Sequence, residues 1–255
     1  MNSLLRTLRR HRGPLLLGAA LTVTTPALAF DDAEKAEMGA FIREYLIANP
    51  EVMIEVQQAL ETKQQAGLQE RAGEAIAASA SALFEAPGDV ALGNPDGDVT
   101  VVEFFDYNCG YCKRAHADMK AIIASDDNVR VILKEFPILG PDSIGAHRIS
   151  MAFRALAPEQ YGEFQDALMT GERADEASAL AVAAELGVEE AALRDKLADP
   201  EIDAQIRQSY ELADALGISG TPSYVIGDEA VYGAMGAEFL IQKIENVRSC
   251  DSATC

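Results

Sequence analysis

Apolar residues recur along this chain in two rhythms, one of helices and one of buried strands. From Ala33 to about Ala78 the rhythm is helical. Met38, Phe41, Ile42, Tyr45 and Leu46 fall on one stripe at i, i+3, i+4, i+7 and i+8. Asn49-Pro50 interrupts it, and Pro50 suits the first turn of a following helix. Met53, Val56 and Leu60 continue at heptad spacing until Lys63 and Gly67 break it, which predicts a short helical assembly element rather than a long coiled coil. Leu83 to Leu92 has the pattern of strand and loop, and Gly93 to Asp98 that of a turn. The run Val99–Phe105 is β-branched and aromatic, with apolar residues on both faces, as in a strand buried on both sides. A helix to about Ser125 and a strand over Val129–Phe136 follow. Pro141 to Leu216 is helical in pattern, with breaks near Pro158, Gly171, Gly187 and Pro200. Ser223–Ile226 and Ala230–Tyr232 form a hairpin about Gly227-Asp228, and Ala237–Val247 closes with a helix.

The chemistry enters where the main strand ends. Asp106-Tyr107-Asn108 breaks it, and Cys109-Gly110-Tyr111-Cys112 opens the next helix. Unpaired N–H groups at a helix N-terminus favour a thiolate, and two cysteines three apart on a first turn close a disulfide with little backbone change. Cys109, nearest the positive end of the helix and expected to be exposed, is the candidate nucleophile. Cys112, one turn in, is the candidate resolving thiol. Glu103 stands in the strand with apolar neighbours on both faces and is expected to be buried near Cys112. His116, four residues after Cys112 on the same helix face, opens a second reading in which Cys109, Cys112 and His116 ligate copper or zinc. The competing reading has His116 packing beside the site. Lys113 stands where a haem-attachment motif needs histidine, and no cofactor is implied. His147 has no partner nearby in sequence and is given no role. Cys250 and Cys255 are expected to pair with each other in the C-terminal tail.

Residues 1–29 have the pattern of a cleaved secretory signal: Arg6, Arg9, Arg10 and Arg12, then an apolar core from Pro14 to Val23, then Ala27-Leu28-Ala29. Export to an oxidising compartment, most simply a bacterial periplasm, is expected. Without that segment 17 basic residues face 41 acidic ones, a formal charge of −24. Such a surface argues against nucleic-acid binding, which needs basic patches.

Between residues 82 and 248 the chain resembles the DsbA-like branch of the thioredoxin fold. Glu103 lies six residues before Cys109, where that family has a buried glutamate that assists proton transfer. Gly220-Thr221-Pro222 matches its cis-proline loop, and residues 141–216 match its inserted helical domain. The resemblance implies an α/β thioredoxin fold with a helical insertion and an N-terminal helical extension. Its regions are a signal at 1–29, an oligomerisation region at 30–80, the DsbA-like domain at 81–248 and a tail at 249–255. Thr221, Pro222, Gly110 and Tyr111 become the candidate client-binding residues. DsbA itself carries Pro-His between its cysteines and valine before the cis-proline, whereas Gly110-Tyr111 and Thr221 are similar to the isomerase DsbC. With helices at the N-terminus, the combination looks like the suppressor-of-copper-sensitivity C proteins and their trimeric relatives. The implied activity is thiol–disulfide exchange on cysteines of exported proteins, isomerase-like, in a homo-oligomer served by a membrane redox partner. A DsbA-like oxidase and, in another class, a copper-binding or holdase protein are the alternatives.

Overall fold

The computed structural model describes residues 30–255; the expected signal segment, 1–29, lies outside them. The chain forms two compact units, one ending at Gln57 and a second of Gln58–Cys255, the division falling inside a helix.

In the first unit, helix α1 (Asp32–Ala48) begins with a capping box, Asp31 accepting the Glu34 N–H and Glu34 accepting the Asp31 N–H. None of its residues is buried. Met38, Phe41, Ile42 and Tyr45 of the predicted stripe are all exposed, Phe41 by 66%. Helix α2 (Glu51–Ala78) starts here and presents Met53 and Val56 in the same way.

The second unit is built on a five-stranded sheet of β1 (Ala91–Gly93), β2 (Val99–Phe105), β3 (Val129–Glu135), β4 (Ser223–Ile226) and β5 (Glu229–Tyr232), in the order β1-β3-β2-β4-β5. β2 and β3 run parallel, and the other pairs are antiparallel. Every residue of central β2 except Thr100 is buried, which its two apolar faces require. Gly97 lets the turn before β2 press on the start of β3, since a Cβ there would sit 2.5 Å from the Asn128 carbonyl.

The stretch Leu83–Leu92 departs from expectation. Its first residues finish a short helix, α3 (Ala80–Phe84), and the sheet gains only Ala91–Gly93. A short apolar run does not distinguish a buried strand from a buried helix turn. Leu83 meets its requirement by burial among Val102, Phe104 and Ile132. Ile76 of α2 joins the same cluster, so the last turns of α2 belong to the second unit.

Helix α4 (Gly110–Ser125) packs beside α10 (Ala237–Cys250). Between β3 and β4 comes the run of helices α5 (Pro141–Leu156), α6 (Tyr161–Thr170), α7 (Glu176–Glu185), α8 (Glu190–Leu197) and α9 (Pro200–Ala215), a helical insertion in the sheet order. Pro141 starts α5 after Gly140, and Asp175 and Asp199 cap α7 and α9. The tail is closed by the expected Cys250–Cys255 disulfide. Among the described residues no helix is long and apolar enough to cross a membrane.

Candidate active site

β2 ends at Phe105, and the next four residues bring the chain round so that Cys109 is the N-cap of α4. The Cys109 N–H donates to the Asp106 carbonyl at 3.0 Å, closing this turn. Both cysteines are free thiols. Cys109 is 8% exposed, so the expectation of an exposed nucleophile is corrected. The cis Thr221-Pro222 loop before β4 covers the cysteine, and its Sγ lies 3.2 Å from the Thr221 carbonyl. Cys112 is fully buried one turn in.

The electrostatics separate the two thiols. Hydrogen bonds from Cys112 outweigh burial and, with Thr221 and the N–H groups of Cys112 and Tyr111, hold Cys109 down at about 5. The interaction with Cys109, then burial, pushes Cys112 far above the ordinary thiol range. Glu103 faces Leu133 and Tyr224 across the sheet and is buried, as its neighbours predicted. Burial first, and the Cys109 charge second, push its carboxyl up to about 8. Its Oε1 has no hydrogen-bond partner.

Gly110 has open space where a Cβ would stand, and Tyr111 is exposed with the Arg114 guanidinium 4.2 Å from its ring centre. These two therefore face solvent at the mouth of the site. A cleft of about 320 Å³ runs beside the cis-proline loop, lined by Leu68, Gly217, Thr221, Pro222 and Tyr232 among others.

The alternative metal set is not assembled. His116 turns to α6, its Nε2 2.7 Å from Asp166 Oδ1, where Lys120 also binds. Among the described residues no group of three His, Cys, Asp or Glu is placed to hold a metal.

Several residues at the site escaped the sequence reading. Asp106 is fully buried and accepts the N–H groups of Asn108, Ile138 and Leu139. Asn108 bridges to Ala174 of the insertion, donating to its carbonyl at 2.7 Å and accepting its N–H at 2.9 Å. His147, given no role, is fully buried and accepts the Tyr107 N–H. The signal available for it was a polar stripe, Ser143, His147 and Ser150 at i, i+4 and i+7, on a helix whose other buried residues, Arg154 apart, are apolar.

A dithiol at a helix N-terminus, a buried carboxyl behind it and a cis-proline loop over it form the arrangement expected of a thioredoxin-type redox site. Residues 100–245 match the family model of the DSBA-like thioredoxin domain, and the chain belongs to that family. Residues 34–66 match the N-terminal domain of the copper resistance protein ScsC. A thioredoxin-like oxidoreductase from Silicibacter pomeroyi is 42% identical with a TM-score of 0.63, the match covering 67% of this chain and 98% of that one. Proteus mirabilis ScsC in a compact conformation is 31% identical with a TM-score of 0.60, over 78% of this chain and 99% of that one. The chain spans about a quarter of the length of the curated relatives it matches. One is the Na(+)/H(+) antiporter NhaA 3 of Salinispora tropica, 26% identical over 60% of this chain and 24% of that protein.

Proposed function

We propose that this protein is a periplasmic thiol:disulfide oxidoreductase that reshuffles disulfides in exported proteins. The observation that carries the reading is the opposed pair of thiols, Cys109 held at about 5 and Cys112 pushed up, under the Thr221-Pro222 loop. Cys109 as thiolate attacks a client disulfide, forming one S–S bond and releasing the other client sulfur as thiolate. A different client thiolate then attacks the client sulfur of the mixed disulfide, forming a newly paired client disulfide as the bond to Cys109 breaks and Cys109 returns as thiolate. Where this stalls, Cys112 gives up its proton and attacks Cys109 Sγ, so that the client leaves reduced and the enzyme oxidised. Glu103, with its free Oε1, is the group to take that proton. Thr221, Pro222, Gly110 and Tyr111 line the approach of the client backbone.

A Cys109 at about 5 lies between the values of roughly 7 for thioredoxin and 3.5 for DsbA, which supports a couple less oxidising than DsbA. The same depressed value favours the second reading, a dithiol oxidase, since a stabilised thiolate makes the disulfide a better oxidant. Exposed Met38, Phe41, Ile42 and Tyr45 support burial of the N-terminal helices between copies of the chain. Several active sites around one client suit isomerisation. A signal at 1–29, a membrane partner that keeps the dithiol reduced, and clients with cysteines complete the reading.

The test is reactivation of a scrambled-disulfide client by the reduced protein, beside a version that begins at Gln58 and so keeps Ile76 in its core. Recovery by the longer form alone supports the oligomeric isomerase. Oxidation of a reduced client without recovery of the scrambled one moves the oxidase ahead.

A further inference from the structure

Ser143, His147 and Ser150 stand on one face of α5 and are fully buried. A polar stripe in such a contact costs stability unless its groups are paired. All three are, and each to the segment that leads to Cys109. Ser143 Oγ donates to Asp106 Oδ1 at 2.8 Å and accepts from Asn108 Nδ2 at 3.0 Å. His147 Nε2 accepts the Tyr107 backbone N–H at 3.2 Å. Ser150 Oγ accepts from the Tyr107 hydroxyl at 2.8 Å and donates to Glu135 Oε1 at 2.6 Å.

The tautomer of His147 follows from this. Because Nε2 accepts, the proton sits on Nδ1, which donates to Glu135 Oε2. Glu135, buried at the end of β3, also accepts the Tyr161 hydroxyl at 2.9 Å. Burial acts to raise its carboxyl, but the hydrogen bond from His147, the nearby Arg154 charge and the hydrogen bond from Ser150 outweigh it and hold it below the ordinary carboxylate range. The chain from Glu135 through His147 to the Tyr107 N–H thus has each donor and acceptor matched.

We propose that His147 is a positioning residue for Cys109, by which the helical insertion fixes the Asp106–Cys109 turn through the Tyr107 N–H. The inference rests on the reading of Cys109 as the attacking thiol. The Cys109 N–H to Asp106 carbonyl bond ends the turn one residue before α4, so its set decides how the first N–H groups of α4 meet Sγ.

Two substitutions separate positioning from stability. His147→Asn keeps a donor where Nδ1 stands and removes the acceptor for Tyr107. His147→Gln keeps an acceptor where Nε2 stands and gives up the donor to Glu135. Each loses one buried hydrogen bond, so a merely structural role predicts similar falls in urea midpoint and equal Cys109 chemistry. Positioning predicts asymmetry. In the reduced full chain at pH 5, Cys109 of the Asn variant is alkylated by iodoacetamide about fivefold more slowly than wild type, and the Gln variant stays within about twofold. Equal rates in the two variants overturn the proposal. Should neither fold, Ser143→Ala removes a smaller anchor of the same stripe: slowed alkylation supports the proposal and an unchanged rate overturns it. Alkylation reads the thiolate rather than client turnover, so a chain inert towards clients but asymmetric here loses the exchange reading and keeps the positioning role.

Discussion

Replacing Glu103 by glutamine isolates what burial of this carboxyl does. A glutamate raised from 4.5 to about 8 binds its proton more tightly in the folded chain than in the unfolded one. At about 1.36 kcal/mol per pH unit, up to about 5 kcal/mol of stability is then present below pH 4.5 and lost as pH rises through 8. Glu103→Gln cannot ionise, so any cost of its unpaired amide is the same at every pH. Cys109 works in the opposite sense, because its value is depressed and reduced protein gains stability as pH rises above 5. The measurement is therefore made on oxidised protein, where Cys109 does not titrate and burial, the larger cause, acts on Glu103 by itself. Urea unfolding of wild type and variant at pH 5, 7 and 9 should show the variant gaining on wild type by about 2–4 kcal/mol across the range. A difference that stays within about 1 kcal/mol from pH 5 to pH 9 refutes the reasoning.

Other outcomes follow from the same geometry. Alkylation of reduced wild type at Cys109 should reach half its maximal rate near pH 5, with Cys112 untouched while the chain is folded; a midpoint near that of an ordinary thiol would sink the separation of the two sulfurs. Cys112→Ser should accumulate mixed disulfides with clients on non-reducing gels, whereas Cys109→Ser should form none. Removing both tail cysteines, Cys250 and Cys255, opens a short loop and should lower stability by about 2 kcal/mol in thermal or urea unfolding while leaving client turnover unchanged.

The site was legible in sequence wherever local pattern and chemistry coincide. Val99–Phe105 had to be a buried strand because both faces are apolar, and Glu103 in its middle had to share that burial. Cys109 and Cys112 announced a helix N-terminus because they follow a strand and its break at Asp106-Tyr107-Asn108. The exposure of Cys109 was not legible, since what covers it is the Thr221-Pro222 loop more than a hundred residues on. The partner of His116 was hidden for the same kind of reason. The helix face that carries Cys112 also carries His116, but α6 brings Asp166 to that imidazole, and nothing near His116 in sequence announces it. Leu83 and Phe84 were misread because a five-residue helix is too short to display a period.

The charges at the site bear on when Cys112 acts. In the reduced protein one negative charge sits on Cys109, and both groups behind it, Cys112 and Glu103, are pushed towards their protonated forms. That arrangement protects the attacking thiolate, because a second ionisation beside it is penalised by the first. Once Cys109 is bound to a client sulfur its charge is gone. The contribution of Cys109 to the raised value of Glu103 disappears with it, and only burial still holds the carboxyl up. A larger fraction of Glu103 is then ionised at neutral pH. The unpaired Oε1 becomes an available proton acceptor at the moment when Cys112 has a mixed disulfide to attack. On the proposed reading, resolution is coupled to the presence of a bound client. In Glu103→Gln this coupling is absent, so the attack of Cys109 on clients should persist while release by Cys112 slows, a division that single-turnover kinetics resolves.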